Sequence, residues 1–580
     1  MGKLAGNPNF LMILADDTGF GDMGFNANVT FTPPAGGGAF TANPPRTPEL
    51  DAWAHAKGSI IFDRFYSGNP VCSPTRAALL SGRTPWRDCI QGANEQQPFP
   101  ATTPTVAQQA KRAGYRTLFV GKWHLGCLYG ECLDWEKGPL KTPAVAKWRS
   151  ANPGNLGFDE YHATIAVTPT STTNCGCKAE WSLQGKGCIA GGGAYVNHTI
   201  QNTSGAFFDK GMHEGLGYFY NAVDCQTFWT KNEDLEHVTP GINCSRPTEI
   251  DRSCVTNYSK FIPGDLTMFD AGLFDQFLTD GEGQEEEAPP PFLAYIALST
   301  NHVPHYALPE FFHAYNDTFG KPAGDYLGSL SQMDHSLGVF RQILTKHGVD
   351  QNTMVWFTTD NGPHTLADHY SLDPQASARS GGQLCATNGL RQCKASVFEG
   401  GIRVPSFIHW PMGITTFEGG ARTSYVASSL DFMATVNDIL NLRYPEPTWT
   451  VDSKSLLPLL QGKLGALDRA AREKVLGWQY GKQVAVTNQT KEHTWKVVRF
   501  PSIGQCAVML PPYADGAPGP FLFDLNTDPT ESHDLCAKNK AQCDAMSTLL
   551  EEYVAGVKNS AQSESTCSAR VPDPNDEHRI

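Results

Sequence analysis

Four short apolar runs along the chain are each followed directly by polar side chains. The runs are FLMIL (10–14), YRTLFV (115–120), PFLAYIAL (291–298) and MVWFTT (354–359). Short runs of this kind, rich in β-branched and aromatic residues, predict strands that are buried on both faces, as in a parallel sheet. In open α/β sheets, ligands bind beyond the carboxyl ends of the strands. We therefore expect the polar groups after these four strands to meet in one site.

Stretches with helical periodicity lie between the predicted strands. RTPELDAWAHAKG (46–58) precedes a further strand candidate, SIIFDRFY (59–66), and GDYLGSLSQMDHSLGVFRQILTKHG (324–348) precedes the fourth apolar run. Alternation of helices and strands indicates βαβ units. The fold class predicted is therefore α/β, with a large mixed, mostly parallel sheet flanked by helices.

The pattern changes after about residue 440, where short strand candidates follow one another and a helix closes the series. The candidates are KVLGW, QVAVTN, HTWKVVRF and FLFDL, and the helix is AQCDAMSTLLEEYVAGVKN. Adjacent strands closed by one helix predict a smaller antiparallel α+β unit. We therefore divide the chain into a large α/β domain over 1–440 and a C-terminal α+β domain over 441–580.

The charge of the chain argues against two classes of partner. Nucleic-acid binders and proteins that bind anionic membranes need a dominant positive field, whereas this chain has a formal net charge of −14. No apolar run reaches the roughly 18 residues of a transmembrane helix. We expect no nucleic-acid partner and no membrane span, while a small anionic substrate in a locally positive pocket stays possible.

Cysteines and glycosylation sequons indicate an oxidising compartment. The chain has 16 cysteines, and those over about 127–260 lack a repeating CxxC zinc spacing, so a disulfide-tied, Cys-rich insertion is the simpler interpretation. Asn-x-Ser/Thr sequons occur at Asn28, Asn197, Asn202, Asn243, Asn257, Asn316 and Asn488. We expect a secreted or lysosome-like glycoprotein. The opening MGKLAGNPNF has no apolar segment, so we expect no secretory signal within this chain.

Two pairs of oxygen-bearing side chains follow predicted strands. Asp16 and Asp17 come after the first apolar run, and Asp360 and Asn361 come after the fourth. Their oxygen ligands suit a hard cation such as Ca²⁺ or Mg²⁺ better than zinc. Either pair alone is far better explained as a turn or helix cap, because both sequences are common turn formers. Two pairs at strand ends that are expected to converge favour a metal site.

Basic and imidazole side chains occupy the remaining strand ends. Lys122 and His124 follow the second run and His302 follows the third, while Lys394 lies in a later polar segment. Imidazole donates or accepts a proton near neutral pH, and lysine neutralises charge that develops on an anion. A lone histidine is more often structural and a lone lysine is usually a surface group. Each of the two histidines follows a predicted strand and lies near another polar residue, Lys122 or His305, which favours a functional interpretation here.

The segment VCSPTRAALLSGR (71–83) resembles the signature of the type I, formylglycine-dependent sulfatases, an arylsulfatase-like family of the alkaline-phosphatase superfamily. That signature is Cys-x-Pro-x-Arg followed by a helix and Thr/Ser-Gly-Arg. Six further segments agree in family order: LADDTGFGD (14–22), GKWHLG (121–126), HVP (302–304), DNG (360–362), CKASVFEGGIRVPSFIHWP (393–411) and LFDLNTDPTESHDL (522–535). The resemblance implies a hydrolase for sulfate esters, of a sulfated carbohydrate or an aryl sulfate, with one calcium ion per chain.

The resemblance further implies that Cys72 is converted to formylglycine by a formylglycine-generating enzyme during maturation. The aldehyde hydrates to a geminal diol, which has one oxygen to attack sulfur and a second with which to expel sulfate. A thiolate would instead leave a covalent intermediate with no means of release. A disulfide at Cys72 is the structural alternative. Pro74 and Arg76, at their places in the signature, favour the formylglycine.

The resemblance also implies a role for each polar strand end. It assigns four metal ligands, Asp16, Asp17, Asp360 and Asn361. Arg76 and Lys122 would orient the formylglycine hydrate, and His124 would take a proton from its second hydroxyl. His302 and Lys394 would contact the sulfate and assist the leaving oxygen. One further family contact, a serine or histidine near the middle of the chain, has no recognisable counterpart in the insertion.

Two other functions compete with sulfate ester hydrolysis. A phosphonate or phosphate ester hydrolase of the same superfamily would share the fold and the acidic ligands, and a non-catalytic, glycan-binding relative would keep the fold alone. The expected partner is a sulfated small molecule or glycan, and the sequence does not identify which one.

Overall fold

The computed structural model describes most of the predicted sheet and its flanking helices. The described residues are 7–29, 31, 45–93, 99–100, 102–125, 133–134, 138–139, 151, 153–164, 218–221, 226–231, 256–257, 266–281, 289–302, 305, 307, 309–319, 321–364, 387–444, 450–463, 472, 475–505 and 512–563.

The strands of this part of the chain form two principal sheets and two small ones. In chain order they are β1 (Asn9–Ala15), β2 (Ser59–Phe62), β3 (Phe65–Tyr66), β4 (Arg116–Lys122), β5 (Leu133–Asp134), β6 (Gly138–Pro139), β7 (Glu160–Thr164), β8 (Tyr218–Asn221), β9 (Gln226–Lys231), β10 (Thr256–Asn257), β11 (Phe292–Ala297), β12 (Thr353–Thr359), β13 (Arg403–Val404), β14 (Phe407–His409), β15 (Ala421–Thr423), β16 (Ala427–Ser428), β17 (Leu476–Tyr480), β18 (Gln483–Gln489), β19 (Thr494–Arg499) and β20 (Phe521–Asp524).

The helices of the same part of the chain lie between and after these strands. They are α1 (Pro48–Ala54), α2 (Cys72–Ser81), α3 (Val106–Arg112), α4 (Leu266–Gly281), α5 (Pro309–Phe319), α6 (Lys321–Lys346), α7 (Glu399–Ile402), α8 (Asp431–Ile439), α9 (Leu457–Leu460) and α10 (Lys540–Ser563). Short 3₁₀ helices cover Phe20–Asp22, Gly24–Asn26, Pro85–Asp88 and Asp350–Asn352.

The large sheet has the order β10-β9-β7-β4-β11-β1-β12-β14-β2-β15, with β8 paired to β9. Its centre, β7-β4-β11-β1-β12, is parallel, whereas β9 and β14 run antiparallel to their neighbours. The four apolar runs of the sequence become β4, β11, β1 and β12, which are consecutive neighbours. Their carboxyl ends therefore line one edge of the sheet, as predicted.

Both faces of the large sheet are buried. Phe10, Met12 and Leu14 of β1 belong to one hydrophobic cluster, which includes residues of α2, α3 and α8. Leu11 and Ile13 belong to another, formed with residues of α1, α4 and α6. Side chains alternate between the faces of a strand, so an uninterrupted apolar run is what a strand between two helical layers requires. The predicted mixed, mostly parallel α/β architecture is confirmed.

Strands β17–β20 form a separate antiparallel sheet, called the C-terminal sheet below. On one face, Val486 packs with Met546 and Leu550 of α10. On the other face, Trp478 packs with Tyr66 of β3 and with Val397 and Phe398, which precede α7. The predicted antiparallel C-terminal sheet is confirmed, and it lies between α10 and the segments of β3 and α7.

The segment predicted as an irregular insertion contains part of the large sheet. Strand β7 pairs in parallel with β4, and β9 continues the sheet from β7. The sequence EYHAT of β7 lacks a continuous apolar run, so its pattern gave no sign of a strand. The cysteines over 127–254 lie outside the described residues.

Disulfides are present elsewhere in the chain, as the cysteine content predicts. Cys536 is bonded to Cys543, and Cys89 and Cys393 are also disulfide-bonded. Within the described residues, the helices include none long and apolar enough to cross a bilayer.

Candidate active site

The two acidic pairs meet where β1 and β12 end. Ala15 is the register partner of Thr359, so the residues that follow these strands emerge side by side. The backbone N–H of Asp17 donates to Oδ1 of Asp360 at 3.2 Å. All four side chains of the pairs, those of Asp16, Asp17, Asp360 and Asn361, are fully buried. The structure thus brings together the proposed metal ligands of two strands more than 300 residues apart in sequence.

Cys72 is the first residue of α2, and its thiol faces the acidic pairs. Val71 is extended, and the helix begins at Cys72 with Pro74 in its first turn. Proline is tolerated there because backbone N–H groups of the first turn have no acceptor within the helix. The thiol donates to Oδ1 of Asp16 at 3.5 Å and is 1% exposed. Cys72 is a free cysteine. The structural alternative, in which Cys72 forms a disulfide, does not hold.

Arg76, one turn along α2, binds both acidic strand ends. Its Nη2 donates to Asp360 at 2.8 Å and to Asp16 at 3.1 Å. Its Nε donates to Asp360 at 3.2 Å, and its Nη1 donates to the carbonyl of Lys122 at 2.6 Å. Nζ of Lys122, at the end of β4, lies 2.6 Å from Asp16. Three of the four converging strands are thus joined through one guanidinium.

Two further basic side chains lie beside Asp17. Nζ of Lys394 lies 2.7 Å from this carboxylate, and Nε2 of His302 lies 3.6 Å from it. The side-chain amide of Asn361 donates to Asp17 at 2.7 Å. The backbone N–H of Lys394 donates to the carbonyl of Pro363, which ties the Lys394 segment to the end of β12. The predicted Lys394 and His302 therefore share one carboxylate.

The charges of this cluster are balanced and mutually perturbed. Burial alone would raise the pKa of Asp16, but Lys122 and Arg76 outweigh it and hold that pKa below its ordinary value. Burial and the neighbouring Asp16 raise the pKa of Asp360, against the opposing effect of Arg76. Burial, Asp16 and Asp360 raise the pKa of the Cys72 thiol, so it is not a ready thiolate nucleophile.

The donor atoms of the cluster fit a hard cation. Ligand atoms of Asp16, Asp17, Cys72 and His302 all lie within 4.8 Å of one another. Oδ1 of Asn361 is buried without a hydrogen-bond partner among the described residues, and a bound ion is one partner that satisfies such an oxygen. Oxygen donors are what Ca²⁺ and Mg²⁺ prefer. Asp360 is not in this four-residue group, although it lies beside it and accepts hydrogen bonds from Arg76 and from the backbone N–H of Asp17.

Other residues are placed less directly or were not predicted. His124 is buried two residues beyond the end of β4, with φ of 55°, so it shares the strand end of Lys122. Tyr295 of β11 and Tyr480 of β17 were not predicted as site residues. Burial raises the pKa of both phenols, while the charge of Arg76 lowers that of Tyr295 and the charge of Lys394 lowers that of Tyr480. Both tyrosines lie inside strand patterns, which carry no signal of nearness to a site.

Comparison with known proteins gives consistent matches over most of the chain. A family model described as Sulfatase matches residues 8–175 and 192–442. Steryl-sulfatase of Rattus norvegicus is 26% identical over 570 residues, which cover 91% of this chain and 85% of the relative. Human N-acetylgalactosamine-6-sulfatase is 26% identical over 568 residues, covering 93% and 84%. The solved structure of PsFucS1 sulfatase from Pseudoalteromonas sp. is similar with a TM-score of 0.62 and 19% identity, covering 96% of this chain and 91% of that one.

Proposed function

The chain belongs to the sulfatase family, and from this premise we propose that it hydrolyses sulfate esters with a formylglycine made from Cys72 and a bound calcium ion. The observation that carries the proposal is the position of Cys72. Its free, buried thiol lies at the start of α2, 3.5 Å from Asp16, within a cluster of three carboxylates and three basic side chains. Position and sequence signature thus agree on one residue.

Conversion of Cys72 explains how a residue with a protonated, buried thiol becomes reactive. When present, formylglycine supplies a hydrated aldehyde with one oxygen for attack on sulfur and another for release of sulfate. Arg76 and Lys122 hold Asp16 beside position 72 by direct ion pairs, so they orient the group that replaces the thiol. His124, at the strand end of Lys122, would accept the proton of the second hydroxyl.

The residues around Asp17 contact the sulfate group and the leaving oxygen. Lys394 and His302 both approach this carboxylate, at 2.7 and 3.6 Å, so they act on the same small volume. Lys394 stabilises negative charge on the sulfate, and His302 donates a proton to the departing oxygen. Exclusion of water strengthens the effect of Lys394, because this residue is 4% exposed.

The calcium ion is assigned to Asp16, Asp17, Asp360 and Asn361. An ion held by these residues would supply Lewis-acid polarisation of the sulfate ester and of the hydrated aldehyde. The charges of the cluster suit an anionic substrate once such an ion is bound: three carboxylates match three basic groups, so a dication would leave an excess of positive charge that an anionic substrate neutralises. Cation and anionic substrate are therefore complementary additions to this site.

The relatives indicate only a broad class of substrate. They are named for steryl sulfates and for a 6-sulfated amino sugar, so a sulfated small molecule or glycan is proposed for this chain. The presence of every assigned catalytic residue supports an enzyme rather than a non-catalytic glycan-binding protein. The disulfide-bonded cysteines support a secreted or lysosome-like compartment, as does Asn28, a sequon asparagine that is exposed.

The decisive experiment examines residue 72 directly. Tryptic cleavage after Arg64 and Arg76 isolates FYSGNPVCSPTR, which contains no other cysteine. From a host with a formylglycine-generating enzyme, this peptide should carry an aldehyde that reacts with a carbonyl reagent. Cys72→Ala should fold and bind calcium without turnover, while Cys72→Ser should accept the sulfuryl group and stall, since it lacks the second hydroxyl. Unmodified Cys72 in a fully active preparation would contradict the proposal.

A further inference from the structure

The hairpin of β17 and β18 brings a tyrosine of the C-terminal sheet to the active site. Tyr480 is the last residue of β17 and pairs with Gln483 across the turn. The turn itself is Gly481-Lys482, and Gly481 has φ of 56°, the left-handed conformation that two-residue hairpin turns favour. The turn thus fixes where Tyr480 leaves the sheet.

One side of this hairpin is bonded to the segment that leads into α2. The indole N–H of Trp478 donates to the carbonyl of Ser67 at 2.8 Å. The side-chain amide of Asn69 donates to the carbonyl of Gln479 at 3.0 Å. All four of these residues are buried, and Asn69 precedes Cys72 by only three positions. The residue before Tyr480 is therefore fixed relative to the nucleophile.

The other side of the hairpin is bonded to the Lys394 segment. The side-chain amide of Gln483 donates to the carbonyl of Ala395 at 2.9 Å, and its oxygen accepts from the backbone N–H of Val397 at 3.1 Å. The N–H of Ala395 in turn donates to the carbonyl of Pro70 at 2.9 Å. Tyr480 thus lies between the segments that carry Cys72 and Lys394.

The surroundings of Tyr480 differ from those of the ionic cluster. Its side chain is only partly buried, and within the described part of the chain its hydroxyl makes no hydrogen bond. Burial raises the pKa of this phenol; Lys394 lowers it and Cys72 raises it, so both groups lie within electrostatic reach. The ring therefore keeps solvent-accessible surface that a ligand can cover.

We propose that Tyr480 is a specificity-determining residue that packs against the ring carrying the scissile sulfate ester. Aromatic side chains bury large apolar areas, and the C–H face of a saturated ring is the complementary surface. A pyranose and a sterol both offer such a face. The inference rests on the proposed function, because Cys72 and Lys394 define where the sulfate lies.

The test compares Tyr480→Ala with Tyr480→Phe, which keeps the ring, and with Lys482→Ala, a matched change at the exposed turn of the same hairpin. The substrates are N-acetylgalactosamine 6-sulfate and a steryl sulfate. For the ring that this enzyme uses, Tyr480→Ala should lower kcat/KM by about tenfold or more. Tyr480→Phe and Lys482→Ala should stay within about twofold of the parent. The substrate with the larger loss identifies the source of the ring.

Two further measurements separate recognition of the ring from general damage. The inhibition constant of inorganic sulfate and the formylglycine content should be unchanged in Tyr480→Ala, because neither involves the ring. Equal kcat/KM for Tyr480→Ala and the parent on both substrates would overturn this inference alone, and so would a parallel loss of sulfate binding. A parent enzyme that carries formylglycine but hydrolyses no sulfate ester would overturn the proposed function, and this inference with it.

Discussion

Replacing Arg76 with methionine should lower the free energy of unfolding by about 3–5 kcal/mol, the usual cost of removing one partner of a buried ion pair. Arg76 donates twice to Asp360, once to Asp16 and once to the carbonyl of Lys122. Arg76 and both carboxylates are fully buried. Methionine fills much of the space, but it leaves Asp360 with the backbone N–H of Asp17 as its donor. The stability is therefore lost because the buried carboxylate of Asp360 no longer has its charged partner.

A double-mutant cycle with Asp360→Asn separates this charge effect from loss of packing. Arg76→Met with Asp360→Asn removes both charges, so the double variant should lose less than the sum of the single losses, with a coupling free energy of about 2–3 kcal/mol. Arg422→Met is the matched control. Arg422 lies 2.7 Å from Asp63 and also donates to the carbonyl of Phe25 and to the side chain of Asn26. Because the side chains of the ion pair are 27% and 31% exposed, water can replace part of these contacts, and this change should cost about 1–2 kcal/mol.

Urea unfolding followed by tryptophan fluorescence measures each free energy, with calcium chelated so that ion occupancy does not differ between variants. The m-values must agree across the set for the comparison to hold. A loss for Arg76→Met no larger than that for Arg422→Met, or strict additivity with Asp360→Asn, would refute the reasoning.

Two further predictions concern the cation and the C-terminal sheet. Asp360→Ala should lose both bound calcium and turnover; full turnover after exhaustive chelation, with removal verified by metal analysis, would show that the ion is not required. Lys496→Met should reduce thermal stability, because the buried Lys496 pairs with Glu399 at 2.9 Å and with Glu531 at 2.8 Å, yet kcat per folded molecule should stay near that of the parent. A folded, calcium-loaded Lys496→Met enzyme with no turnover would contradict a purely supporting role for this lysine.

The strand ends of the site could be predicted because the signal for each of them is local. An apolar run followed at once by Asp16-Asp17 or Asp360-Asn361 shows both a buried strand and a polar group at its end. The parallel sheet then places such ends along one edge. For these residues, the local sequence pattern is enough to predict that their side chains lie close together.

Other features depend on contacts that no local pattern encodes. Spacing shows that Arg76 lies one turn after Cys72, but not that its guanidinium joins Asp16 to Asp360. Strand β7 was missed because its pairing with β4, rather than its own apolar content, makes it a strand. Tyr480 reaches the site through hydrogen bonds made by its neighbours to segments far away in sequence, and its own residue type gives no sign of this.

The pairing of β1 with β11 and β12 determines when β1 can join the sheet during translation. The first strand reaches its final place only after residues up to Thr359 have been translated, since both of its neighbours come late in the chain. At roughly 5–20 residues per second, translation from Cys72 to Thr359 takes roughly 15–60 s. Once the sheet has formed, Cys72 is 1% exposed and closed to any modifying enzyme. The order of strands thus gives the nascent chain an interval of tens of seconds in which Cys72 is still accessible.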